Sequence, residues 1–144
     1  SRYISINEHG LPLGMPLEVE DTVFDFTLAK PLSVVIGATD KQVCLASGGL
    51  DHTFLLDEGI ITLTDSNSGR QLTIITQEPA VVVYTGNKIG SSYSFKEVTA
   101  KKFLGICLEE QNVPNSIKYP QYPSAFLAKD TPYSKTTTYK FEVI

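Results

Sequence analysis

Residues 60–76, Ile60-Ile61-Thr62-Leu63-Thr64-Asp65-Ser66-Asn67-Ser68-Gly69-Arg70-Gln71-Leu72-Thr73-Ile74-Ile75-Thr76, decide the fold class. β-Branched residues fill both arms, Ile60–Thr64 and Gln71–Thr76, where a helix would prefer Ala, Leu, Glu and Lys. Between them Asp65-Ser66-Asn67-Ser68-Gly69 is a cluster of turn formers. The stretch therefore reads as a β-hairpin in which Asn67 and Gly69 supply the positive φ values.

Outward from the hairpin, short alternating or β-branched runs recur at roughly ten-residue spacing, the signature of an all-β sandwich or barrel. Upstream they are Tyr3–Ile6, Val23–Thr27, Ser33–Ile36, Gln42–Ala46 and Thr53–Leu56. Downstream they are Ala80–Tyr84, Tyr93–Phe95, Phe103–Leu108, Ser124–Ala128 and Thr136–Val143. No segment sustains an i, i+3, i+4 apolar pattern, so helix is expected to be scarce. At 144 residues, residues 1–144 form one unit with no room for a separate cofactor domain.

The composition narrows the partners. Twelve Lys+Arg against sixteen Asp+Glu give a net charge of −4, and Arg2 and Arg70 are the only arginines. No basic face is written for a nucleic acid or an anionic membrane, and bidentate phosphate recognition lacks its usual residue, so a neutral ligand is expected. Cys44 and Cys107 stand far apart, and His9 and His52 are the only histidines, so no metal-ligand spacing exists and no metal is expected. Each cysteine sits in an apolar run and reads as a free, buried thiol. No signal peptide or membrane-spanning run is visible, which suits a reducing cytoplasm.

Two segments could carry chemistry. In Phe103-Leu104-Gly105-Ile106-Cys107-Leu108-Glu109-Glu110-Gln111, strand alternation puts Leu104, Ile106 and Leu108 on one face and Gly105, Cys107 and Glu109 on the other. Glu109 would then be aimed into a cleft floored by small side chains, although on pattern alone a solvated strand end for Glu109 and Glu110 is the commoner reading. In Gly48-Gly49-Leu50-Asp51-His52-Thr53, an Asp-His pair stands at the mouth of an apolar strand. It could hydrogen-bond sugar hydroxyls or handle a proton, or form a polar turn with His52 satisfied by the backbone.

Taken in order, the segments resemble the C-terminal half of the aldose 1-epimerase (galactose mutarotase) family. The resemblance is carried by Tyr3-Ile4-Ser5-Ile6-Asn7-Glu8, Leu11-Pro12-Leu13-Gly14, Gly49-Leu50-Asp51-His52, Tyr84-Thr85-Gly86-Asn87, Gly105-Ile106-Cys107-Leu108-Glu109-Glu110-Gln111 and Tyr122-Pro123-Ser124, in that order. It implies an antiparallel β-sandwich, the C-terminal portion of a mutarotase-like supersandwich. The implied activity is the interconversion of the α and β anomers of free hexoses such as galactose and glucose, with no cofactor. On this resemblance Glu109 matches the general base, Asp51 the residue that hydrogen-bonds sugar hydroxyls, and His52 a supporting substrate-binding neighbour.

Two departures accompany the likeness. The family's acid histidine, in an Asn-His-x-Tyr-Phe-like segment, lies upstream of everything in this sequence, and Val82 stands where many members carry Gln. The chain is therefore expected to be a fragment lacking the N-terminal half, one that exposes sheet edges and self-associates or pairs with that half. The alternative is a non-catalytic carbohydrate-binding module or truncated inactive relative.

Overall fold

The computed structural model describes residues 2–90, 92 and 94–144, and among them eight strands form two antiparallel sheets. The strands are β1 (Arg2–Ile6), β2 (Pro12–Glu18), β3 (Asp51–Leu55), β4 (Ile60–Asp65), β5 (Arg70–Thr76), β6 (Ala80–Tyr84), β7 (Cys107–Gln111) and β8 (Thr137–Val143). One sheet runs β2-β1-β3-β6-β7 and the other β4-β5-β8. The expected all-β sandwich is what the chain builds.

The 60–76 hairpin forms as read, with Asp65 paired to Arg70 across β4 and β5. Gly69 supplies the left-handed residue, φ 70°, but Asn67 does not. Closure comes instead from the Asp65 carboxylate, which accepts hydrogen bonds from the Asn67 N–H at 3.1 Å and the Ser68 hydroxyl at 2.6 Å. A four-residue loop of this kind needs only one left-handed position.

Several expected strands are absent. Gln42–Ala46 is not a strand: Lys41–Leu45 forms a short helix, α1. Asp40 caps it, accepting from the N–H groups of Gln42 and Val43 at 2.7 and 3.3 Å, and Ser47 and Gly48 end it with φ values of 63° and 94°. Those flanking signals outweigh the β propensity of the run. The Gln42 amide then clamps β1, its Oε1 accepting from the Ile6 N–H at 2.6 Å and its Nε2 donating to the Ile6 carbonyl at 3.1 Å.

Ser33–Ile36 is replaced by a 3-10 turn, Leu32–Val34, after Pro31. Val23–Thr27 is turn structure that nevertheless buries Phe24, and Ser124–Ala128 is an exposed loop. Tyr93 of the expected run Tyr93–Phe95 lies outside the described residues, and Ser94 makes only an isolated bridge to Thr99. β2 was missed because of Pro12 and Pro16; a sheet edge tolerates residues that cannot donate to a ladder. Both cysteines are free, but exposed rather than buried. For Cys44 the reason is the helix, which turns Val43 and Ala46 inward and Cys44 outward.

The five-stranded sheet is covered on both faces over β1, which is why the adjacent residues Tyr3 and Ile4 are both buried. On one side Tyr3 stacks on Phe24, ring centroids 4.3 Å apart, within a cluster that includes Val35, Val43 and Leu50. On the other, Ile4 packs with Ala80 and Val113. Between the sheets an open cleft of about 690 Å³ is lined by Phe54, Leu63, Val83 and Leu108 among others. On β8, Phe141 and Val143 are 78% and 79% exposed. No described helix is long and apolar enough to cross a membrane.

Candidate active site

Sheet register brings the two sequence-selected acids onto one face. Asp51 pairs with Tyr84 and Tyr84 with Cys107; two residues along, Thr53 pairs with Val82 and Val82 with Glu109. Rows separated by two residues share a face, so Asp51, Tyr84, Cys107, Thr53, Val82 and Glu109 form one surface. Glu109 is two strands across and two residues along from Asp51, which at about 4.8 Å and 3.4 Å per step puts their Cα atoms roughly 12 Å apart. The Cys107 and Glu109 side of β7 is the face expected from alternation, while Leu108 and Ile106 line the inter-sheet cleft.

The Asp51 backbone is fixed by a buried polar knot. Fully buried Asn87 donates through Nδ2 to the carbonyls of Ala46 and Leu50 at 2.7 and 2.6 Å, and its Oδ1 accepts from the Thr85 hydroxyl. Thr85 Oγ1 in turn accepts the Leu50 N–H at 2.9 Å. The chain crosses this knot at Gly49, where a Cβ would stand 2.2 Å from Asn87 Oδ1 and 2.5 Å from Thr85 Oγ1. Thus Gly49-Leu50-Asp51 and Thr85-Gly86-Asn87 form one device, and only the glycine permits the approach. Both motifs stand among those that carry the family likeness in the sequence. Their mutual contact, across some 40 intervening residues, was not legible there.

Lys88, directly after Asn87, was also missed. Its ammonium lies 2.9 Å from Asp51 Oδ2, and its N–H donates to the Tyr84 hydroxyl at 3.0 Å. Glu109 is exposed, with the Gln111 amide at 3.4 Å. Its neighbour Glu110 faces the other way, toward β8, where the Tyr139 hydroxyl donates to it. Alternation thus separates the two acids: Glu109 stands on the surface shared with Asp51, and Glu110 ties the two sheets.

His52 is on the opposite side of the sheet from Asp51. It is fully buried, edge-on to Phe24 with ring centroids 5.0 Å apart. Its Nδ1 accepts the Asp51 N–H at 3.2 Å, which leaves the ring proton on Nε2, an atom without a hydrogen-bond partner among the described residues. Burial drives the imidazole pKa from 6.5 down to about 4, against the opposing pull of Asp51 and Asp40. His52 therefore does not reach the Asp51–Glu109 surface. His9 sits exposed in the β1–β2 connection.

The sign of the His52 effect follows. The unfolded chain takes up the proton below pH 6.5 and the folded chain only near 4, so stability is full above 6.5 and falls between these values. The loss should approach ~1.4 kcal/mol per pH unit within that window. Urea midpoints measured from pH 7 to 4 should show this slope in the parent and a shallower one in His52→Phe; equal slopes would rule out His52 as the source.

Comparison with known proteins is consistent across sequence and structure. The sequence profile of the aldose 1-epimerase family matches residues 1–140. The galactose mutarotase of Mus musculus is 35% identical over 147 aligned positions that cover 98% of this chain and 41% of that protein. The aldose 1-epimerase of Escherichia coli K12 is 30% identical, covering 96% of this chain and 42% of that protein. Among solved structures, a galactose 1-epimerase from Lactobacillus acidophilus NCFM superposes with a TM-score of 0.71 at 27% identity, over 98% of this chain and 41% of that one. An aldose epimerase homologue from C. elegans gives 0.83 at 19% identity, over 99% and 43%, a likeness of fold. The chain spans about two-fifths of the length of these relatives.

Proposed function

The chain belongs to the aldose 1-epimerase family, and on that premise we propose that it carries the base side of a site that interconverts the anomers of free hexoses such as galactose and glucose. Glu109 takes the proton from the anomeric hydroxyl, and Asp51 accepts hydrogen bonds from hydroxyls farther round the ring. As the O1–H bond breaks, C1 becomes a carbonyl carbon, the bond from C1 to the ring oxygen opens and that oxygen takes up a proton. Rotation about C1–C2 and reclosure give the other anomer, with no oxidation and no call for a metal or organic cofactor.

The observation that carries this reading is the common surface of Asp51 and Glu109, set by the β3–β6–β7 register. His52 acts from behind that surface, holding the Asp51 backbone through Nδ1. One observation favours a second reading, a carbohydrate-binding unit without turnover: neither histidine belongs to the rows that carry Asp51 and Glu109, and the resemblance puts the family's acid histidine upstream.

The partner that brings this acid is either an upstream portion of the same kind of protein or a second copy. Among the described residues β7 and β8 each have one unpaired edge, and the Glu110–Tyr139 hydrogen bond links these two edge strands. Added strands there would extend both sheets and cover Phe141 and Val143. The two free cysteines suit a reducing compartment such as the cytoplasm.

Polarimetry on fresh α-galactose and α-glucose tests the activity, with sedimentation velocity on the same samples. Exchange above the spontaneous rate that grows with self-association supports a site completed between copies. A monomer that binds galactose in saturation-transfer NMR without speeding exchange supports the second reading, and a folded chain with neither property overturns both.

A further inference from the structure

We propose that Lys88 is a positioning residue for sugar recognition: its ammonium commits Oδ2 of Asp51 to an ion pair and so presents Oδ1 to a sugar hydroxyl. The inference rests on the reading that Asp51 contacts the sugar. It concerns a residue outside the motifs that carry the family likeness.

The geometry is specific. An isolated surface pair between a lysine and an aspartate is worth little, because two mobile side chains must be ordered to make it. Here both ends spring from the same buried knot. Asn87, the residue before Lys88, holds the carbonyl of Leu50, the residue before Asp51, at 2.6 Å. The Lys88 N–H is held as well, by the Tyr84 hydroxyl at 3.0 Å. With the backbones at both ends fixed, only the two side chains remain to be ordered, and Lys88 Nζ stands 2.9 Å from Asp51 Oδ2.

Tyr84 links this pair to the rest of the surface, since it lies between Asp51 and Cys107 in the row adjoining Glu109. A carboxylate held by one oxygen has one preferred orientation, and a hydroxyl that uses the other oxygen meets an acceptor already in place. The lysine itself is 57% exposed and the aspartate 30%, so the pair sits at the rim, open to ligand and to salt.

Galactose titrated into the 144-residue chain and followed by NMR chemical shifts is the test, because it needs binding and not turnover. Lys88→Met should weaken galactose binding by about three- to fivefold, the upper range for an exposed pair, and Lys88→Arg should restore most of it. Raising ionic strength from about 0.05 to about 0.5 M should weaken the parent by a similar factor and leave Lys88→Met unchanged. In an Asp51→Asn background, Lys88→Met should change nothing. Unchanged affinity in Lys88→Met overturns the inference, as does an equal loss in the Asp51→Asn background, which would mean that Lys88 meets the sugar directly. If the parent binds galactose and Asp51→Asn binds it equally well, the assignment of Asp51 fails and this inference with it. If the folded parent does not bind galactose at all, the functional reading itself has failed.

Discussion

Glu109→Gln lowers the catalysed rate of anomer exchange by about 10²–10⁴-fold, the usual contribution of a general base. The amide keeps the shape and hydrogen-bonding reach of the carboxylate but cannot accept a proton from the anomeric hydroxyl. Glu109 is exposed at the β7 edge and accepts only a long hydrogen bond, from the Gln111 amide at 3.4 Å, among the described residues, so the fold depends little on its charge. Stability should therefore stay within about 0.5 kcal/mol of the parent. Galactose affinity should change far less than the rate, because the base acts as the proton leaves. Polarimetry on whichever assembly turns over, parent and variant side by side, reads the effect. A variant that retains the parent rate removes Glu109 from the chemistry, and Glu110→Gln is the matched control, since Glu110 faces β8 and not the site.

Asn87→Ala should cost about 2–5 kcal/mol of folding stability, as a buried group left without its partner costs about 1–3 kcal/mol and two groups are orphaned here, the Leu50 carbonyl keeping the Thr85 N–H at 3.2 Å. The Ala46 and Leu50 carbonyls lose the Nδ2 donor, and the Thr85 hydroxyl loses its acceptor. Such a loss is a large share of the ~5–15 kcal/mol that a domain commands. Asn87→Asp keeps the volume but sets a carboxylate against two carbonyls, so it should be no better, which separates hydrogen bonding from cavity formation. Urea denaturation at pH 7 checks both. A loss below about 1 kcal/mol in Asn87→Ala would mean that the knot is not what holds the Asp51 strand. Because the knot sets the backbone from which Asp51 and Lys88 both project, whatever folded fraction remains should also bind galactose more weakly.

The expected strands that formed were Tyr3–Ile6 within β1, Thr53–Leu56 as most of β3, the 60–76 hairpin as β4 and β5, Ala80–Tyr84 as β6 and Thr136–Val143 as β8, while Phe103–Leu108 is strand only from Cys107 onward, in β7. Those that failed were overruled by something outside the run. The apolar residues of Gln42–Ala46 were drawn into α1 by Asp40 on one side and Ser47-Gly48 on the other. Val23–Thr27 was apolar because Phe24 fills the space over Tyr3, a use of hydrophobicity that carries no strand period. β2 was hidden because its prolines are tolerable only at an edge, and edge position is a property of the sheet.

The sequence by itself determined the class of fold, the hairpin at its centre, the order of motifs that places the chain in its family, and the faces of β7 on which Glu109 and Glu110 stand. These follow from local terms, namely turn chemistry and the period of two in an extended chain, which act between residues close in sequence. The tertiary structure alone decided that Asp51 and Glu109 share a surface, that Asn87 and Thr85 fix the strand carrying Asp51, that Lys88 meets Asp51, and that His52 is a buried neutral imidazole behind the sheet. Each of those depends on strand order, register and burial, which are set by long-range pairing and by what else competes for the core. A glycine beside an asparagine 38 residues later is silent in a sequence until the fold brings the two into contact.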